Sequence, residues 1–139
     1  MNVVLDTNVL VSGLLCPFSP SGEIVRMVAA REVRLCVDAR LLTEYSEVLH
    51  RPKFGFDADR VESFLDYVSR SGLAVSGVPL RTALPDRDDE PFLEAAVAGE
   101  AECLVTGNTK HFPAKCRQGV VVLSPSKFLE YYRERKARG

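Results

Sequence analysis

Asp86, Asp88, Asp89 and Glu90 put four carboxylates into five consecutive positions just before Pro91 and a helical run. A helix N-terminus favours negative charge, but capping uses one or two acids rather than four. Crowded like charges become tolerable when a hard divalent cation sits among them, because Mg²⁺ and Mn²⁺ take oxygen donors. Two more acids can join this cluster. Asp6 ends the apolar run Asn2-Val3-Val4-Leu5, where a carboxylate is partly desolvated and costly without a cation or strong donors. The competing reading is that Asp6 caps the helix that follows, with Thr7 and Asn8 making local turns. Glu44 is located by helical arithmetic: at roughly 100° per residue the stripe Leu41, Leu42, Tyr45, Val48 and Leu49 covers roughly 340° through 100°, and Glu44 falls near 300°, at its border. It can face a sheet edge or remain a solvated glutamate, for which Glu47 is the internal control. Leu104 to Pro113 offers the hydroxyl of Thr106 and the amide of Asn108, or simply a tight turn through Gly107 and Asn108. His111 could act as a base, but a lone loop histidine reads first as a surface residue.

These side chains act together only if the fold gathers them at one edge. Asn2 to Asp6, Arg34 to Asp38, Glu102 to Thr106 and Gly119 to Leu123 are short apolar runs without alternation, as expected of strands covered on both faces, and Leu73 to Ser76 is a fifth, less apolar candidate. Between them the period becomes helical. Ile24, Val25 and Val28 form one stripe, the set around Tyr45 a second, and Val61, Phe64, Leu65 and Val68 a third that stops at Gly72. Pro91, Phe92, Leu93, Ala96 and Val97 precede Gly99, and Ser124-Pro125 opens a last helix carrying Phe128, Leu129 and Tyr132. Alternating strands and helices imply right-handed parallel crossovers and a three-layer α/β/α sandwich. In such sheets ligands bind beyond the carboxyl ends of the strands, where Asp6, Asn8, Asp38, Glu44, Thr106 and Asn108 fall.

The chain of 139 residues, 46% hydrophobic and 27% charged, suits one domain spanning 1–139, with 133–139 read as a polar tail that frays. Lys110 to Gln118 reads as irregular loop. No apolar run approaches the ~20 residues that cross a bilayer, and the strand-like start has no basic segment or cleavage site, so a cytoplasmic protein without a membrane partner is expected. Cys16, Cys36, Cys103 and Cys116 are too scattered for a zinc cage or a disulfide framework. With 18 basic and 19 acidic residues, the overall charge does not advertise nucleic-acid binding, and any such role must come from the site.

Asp6-Thr7-Asn8 after the first strand, Leu41 to Tyr45 opening a helix, Asp86 to Leu93, and Leu104 to Asn108 together resemble the PIN (PilT N-terminus) domain family. The similarity runs from Met1 to about Glu130 and is greatest toward the VapC-like toxin components of toxin–antitoxin systems. It implies a five-stranded parallel sheet in the order 3-2-1-4-5, with the first and fourth strands adjacent. It also implies a ribonuclease that hydrolyses phosphodiester bonds in single-stranded RNA with Mg²⁺ or Mn²⁺. Carried onto this chain, Asp6 is the first acid, Glu44 the second, and the third lies within Asp86 to Glu90, with Asp89 the first choice and Asp86 and Asp88 the alternatives. Asn108 occupies the fourth acidic position, with His111 where some relatives carry Asp, which lowers the negative charge and leaves one or two metals open. Asn8 and Thr106 would orient the ligands. RNA would approach past Arg40, Arg51, Lys53 and Lys110, each equally readable as plain surface charge. An antitoxin and a second copy of the chain are the implied protein partners.

Two rivals stand beside this reading. One is a catalytically weak or inactive PIN-fold module that binds RNA or an antitoxin. The other is a phosphatase of the haloacid dehalogenase type, which wants a second Asp two residues after the first, where this chain has Asn8.

Overall fold

Val3-Val4-Leu5 and Cys103-Leu104-Val105 lack a polar face, and each of their residues is fully buried. In the computed structural model, which describes all residues from Met1 to Gly139, they are the two central strands of a five-stranded parallel sheet. Its strands are β1 (Asn2–Leu5), β2 (Arg34–Val37), β3 (Leu73–Ala74), β4 (Cys103–Val105) and β5 (Val121–Leu123), in the order 3-2-1-4-5. Helices α1 (Thr7–Leu15), α2 (Pro20–Ala29), α3 (Ala39–Leu49), α4 (Ala58–Ser71), α5 (Glu90–Ala98) and α6 (Pro125–Arg138) cover both faces. No helix is long and apolar enough to cross a membrane. The α/β sandwich and its strand order are those anticipated above.

The register positions the carboxyl edge. β1 pairs with β4 from Val3↔Cys103 to Leu5↔Val105, and the ladder runs one residue further, where the amide of Asp6 donates to the carbonyl of Val105 at 2.9 Å. On its other flank β1 pairs with β2 only at Asn2↔Arg34 and Val3↔Leu35. Past that point the hydroxyl of fully buried Tyr45, on α3, donates to the carbonyl of Leu5 at 2.6 Å. The side chain thereby satisfies a buried acceptor that the shortened ladder leaves over, and fixes α3 against the end of β1. Gly13 lets α1 approach α2, because a Cβ there would stand 2.7 Å from Val25 Cγ2 and 2.8 Å from the carbonyl oxygen of Ser21.

Four helices carry ordinary side-chain caps: Ser19 accepts from Gly22 N (3.1 Å), Asp38 from Leu41 N (3.0 Å), Asp57 from Arg60 N (3.1 Å) and Ser124 from Lys127 N (3.3 Å). Two segments depart from the sequence reading. Lys110 to Gln118 contains two short 3₁₀ turns, Thr109–His111 and Ala114–Cys116, tethered by the buried Phe112 and Cys116. Arg133 to Arg138 is helix rather than frayed tail, since Arg135 pairs with Glu102 and Arg133 lies 3.5 Å from Glu23.

Candidate metal centre

Asp6 and Asp89 both occupy helix N-cap positions, of α1 and α5, and neither makes a capping hydrogen bond. That separates them from Asp38 and Asp57, whose carboxylates are spent on caps. The capping explanation of Asp6 therefore fails. Asp6 is 8% exposed, and its Oδ2 accepts instead from the Thr106 hydroxyl at 2.8 Å and from Asn8 Nδ2 at 3.3 Å. Asn8 in turn accepts from the amide of Gly107 at 3.0 Å, and the amide of Asn108 donates to Thr106 Oγ1 at 3.0 Å. The end of β1 and the loop after β4 are thus laced together around one carboxylate.

Within the acidic cluster the backbone sorts the four candidates. Asp86 accepts from the amide of Asp88 at 2.9 Å, capping the 3₁₀ turn Arg87–Asp89, and Glu90 accepts from the amide of Leu84 at 2.9 Å. Asp88 is exposed. Asp89 alone keeps a buried oxygen, Oδ2, without a hydrogen-bond partner. His111 Nδ1 lies 3.1 Å from that oxygen, at ion-pair distance but poorly aligned for a hydrogen bond.

Glu44 is half-buried and accepts a hydrogen bond from the hydroxyl of Thr7, whereas Glu47 is exposed. The border position read from the helical arithmetic is the one the side chain holds. Thr7, read as a local turn former, joins α1 to α3 through this bond. Thr7 and Tyr45 are the positioning residues that the sequence reading passed over. Thr7 sits beside Asp6 and Tyr45 beside Glu44, but Tyr45 is indistinguishable by period from a core residue.

The electrostatics tie the three acids together. Burial raises the Asp6 carboxyl above its ordinary 3.8, against the pull of the Thr106 hydroxyl, of the backbone amides of Thr7 and Asn8 and, least, of His111. Burial likewise raises Glu44 above 4.5; Thr7 opposes the rise, while the negative charges of Asp6 and Asp88 add to it. Asp89 is raised first by burial and next by Asp6. Desolvation and mutual repulsion both disfavour the ionised forms, and a cation would relieve both. No three His, Cys, Asp or Glu side chains stand close enough to form a ready cage. The donors present nevertheless fit a hard divalent cation: carboxylate oxygens left unneutralised, one of them buried and unpartnered. Asn108, exposed at the same edge, could add an amide oxygen.

The basic residues behave unequally. Arg40 is held by Asp38 at 2.9 Å and Glu94 at 2.6 Å, so its guanidinium is committed within the chain. Arg51, Lys53 and Lys110 are exposed and form no ion pair. Arg51 is near enough to Glu44 to lower its pKa, and Lys53 lies over the Phe54 ring, which stacks on Phe56 with centroids 5.6 Å apart. A groove of about 500 Å³ bordered by Val28, Arg31, Leu35, Tyr67 and Gly72 lies at the opposite end of β2, away from the acids.

A family model described as the PIN domain matches residues 2–110. The fold is similar to that of a chain in the crystal structure of VapBC2 from Rickettsia felis bound to a DNA fragment from their promoter. The TM-score is 0.59 and the identity 18%, over 89% of this chain and 98% of that one. No curated protein matches the sequence.

Proposed function

The chain belongs to the PIN-domain family, and from that premise we propose that it is a Mg²⁺- or Mn²⁺-dependent endoribonuclease that hydrolyses phosphodiester bonds in single-stranded RNA. The observation that carries this reading is the pair of N-cap aspartates, buried Asp6 and half-buried Asp89, withheld from capping and raised in pKa beside Glu44. Evolutionary accident leaves few buried carboxylates unsatisfied, because each costs folding free energy unless something else binds it.

Asp6, Asp89 and Glu44 would hold the cation, with Asn108 and the exposed Asp88 able to reach it through water; Asp86 is occupied by its turn. The cation would supply a lowered pKa for the attacking water and neutralisation of charge on the phosphate. The chain's own groups do the positioning. Thr106 and Asn8 fix Oδ2 of Asp6 and so orient its carboxylate. Thr7 orients Glu44 from the adjacent helix. Arg51, Lys53 and Lys110 attract the RNA backbone, a contribution that weakens with salt, whereas Arg40 is withdrawn from that role.

Similarity to a chain of a VapBC2 complex on promoter DNA supports a toxin role, with an antitoxin as partner. We take the chain to act as a single domain in the cytoplasm, as a homodimer. A second reading, a PIN-fold module that binds RNA or antitoxin without cutting, is favoured by one observation: Asn108 stands where a carboxylate would strengthen cation binding.

The test is cleavage of labelled single-stranded RNA by the purified chain with Mn²⁺ or Mg²⁺, beside EDTA and Asp6→Asn controls. Metal-dependent cutting lost in the variant supports the nuclease. No cutting together with no cation binding by calorimetry supports the binding module.

A further inference from the structure

We propose that His111 is a nitrogen ligand of the cation that Asp89 helps to hold, and that it biases the site toward Mn²⁺ over Mg²⁺. The proposal rests on the metal-dependent reading above. Its starting point is a pair of atoms: His111 Nδ1 and Asp89 Oδ2 are 3.1 Å apart, at ion-pair distance, while Oδ2 is buried and has no well-aligned hydrogen-bond partner. Two such atoms ordinarily turn to share a proton, since an unsatisfied buried carboxylate oxygen is costly. A separation of this size has another natural origin. In an octahedral site with bonds of about 2.1 Å, neighbouring donors stand about 3.0 Å from each other. The pair is already spaced as two adjacent ligands of one cation.

The backbone holds the imidazole there. His111 closes the 3₁₀ turn Thr109–His111, with its amide donating to the carbonyl of Asn108 at 3.0 Å. The next residue, Phe112, is fully buried, and its carbonyl accepts from Arg117 Nε at 2.7 Å. The turn is therefore pinned from its core side, while the imidazole, 49% exposed, faces the acids at the carboxyl edge. The ring lies within electrostatic reach of both Asp6 and Asp89.

A nitrogen donor changes which ion wins. Mg²⁺ and Mn²⁺ both favour carboxylates, carbonyls and water, but Mn²⁺, a first-row transition metal, accepts an imidazole nitrogen more readily than Mg²⁺ does. Replacing one oxygen donor by His111 leaves enough carboxylate for Mn²⁺ and removes part of what Mg²⁺ requires. The chain has one other histidine, His50, whose Nδ1 lies 2.7 Å from the carbonyl of Ser46 at the far end of α3. A nitrogen signal from bound metal can thus be assigned by two substitutions.

The experiment is electron spin echo envelope modulation of the full chain loaded with Mn²⁺, beside calorimetric titration with Mn²⁺ and Mg²⁺. Imidazole ¹⁴N modulation is expected in the wild type and in His50→Ala, and its loss in His111→Ala. Mn²⁺ affinity should fall about tenfold or more in His111→Ala while Mg²⁺ affinity changes less than about threefold, and His111→Asp should shift the preference toward Mg²⁺. Bound Mn²⁺ without ¹⁴N modulation, or with modulation that survives His111→Ala, overturns the assignment and leaves the carboxylate site standing. Failure of the wild-type chain to bind Mn²⁺ overturns the assignment and the metal-dependent reading together.

Discussion

The hydroxyl of Thr106 donates to Oδ2 of Asp6 at 2.8 Å, joining the ends of the neighbouring strands β1 and β4 across one hundred residues of chain. Thr106 is fully buried and Asp6 only 8% exposed, so solvent is a poor substitute for the donor. Thr106→Val keeps the shape and removes the donor. Cation affinity and cleavage should each fall by about 10- to 100-fold, and Thr106→Ser should recover most of the loss. Calorimetry with Mn²⁺ on the three proteins checks this.

Asp6→Asn and Asp89→Asn should each reduce RNA cleavage to background. Each also removes a buried charge that its surroundings repel. Melting temperature in EDTA should therefore stay level or rise by roughly 2–5 °C, the opposite of what a structural cap would show on losing its carboxylate. A scanning calorimeter and a gel-based cleavage assay separate the two expectations.

Asp6, Glu44 and Asp89 all have carboxyls raised by burial, so the folded, metal-free chain binds more protons than the unfolded one. Stability from these groups is fully present below the ordinary values of 3.8 and 4.5, and is lost as pH rises through the elevated folded values. Saturating Mn²⁺ takes the place of those protons and should remove the loss. Unfolding measured against pH in EDTA and in Mn²⁺, for the wild type and the Asp6→Asn/Asp89→Asn double variant, isolates the contribution. Identical pH dependence in all four conditions would count against it.

Glu44 and Glu47 lie three positions apart on α3 and differ in one respect that matters: Glu44 is half-buried and held by Thr7, while Glu47 faces solvent. Glu44→Gln should lower metal-dependent cleavage at least about tenfold. Glu47→Gln should leave it within about twofold. Rates at saturating RNA and fixed Mn²⁺ provide the comparison.

For the basic residues, Arg51→Ala and Lys53→Ala should each reduce the dependence of log affinity for single-stranded RNA on log salt by about 0.7. Arg40→Ala should leave that slope unchanged and lower stability instead, because it strips the counter-charge from Asp38 and Glu94. Titrations at several salt concentrations, with a melting curve for each variant, test the division.

The strands, helices and shared edge were legible because their signals are local: unbroken apolar runs such as Val3-Val4-Leu5, and a helical stripe that puts Glu44 at its border, whereas the strand order came from the resemblance to the PIN domain family. What separates Asp89 from Asp86 and Glu90 is the conformation of the turn that carries them. It depends on the backbone amides of Asp88 and Leu84 engaging Asp86 and Glu90, which spacing along the chain does not reveal. Arg40 looked available because one partner, Glu94, lies 54 residues away. The same blindness to distant partners made Arg133 to Arg138 look like a tail, since Glu102 holds Arg135 from another element. His111 carries no periodicity at all, and only its proximity to Asp89 gives it meaning.

β1 is the middle strand of the sheet although it is made first, and it waits for β4 to arrive beside it. At a synthesis rate of about 5–20 residues per second, Thr106 leaves the ribosome roughly 5–20 s after Asp6. Until then the carboxylate has neither its hydroxyl donor nor its neighbour across the edge, and a nascent chain cannot carry an organised site. Competence therefore waits on completion of a long-range pairing, between strands whose joined ends lie 100 residues apart in the chain.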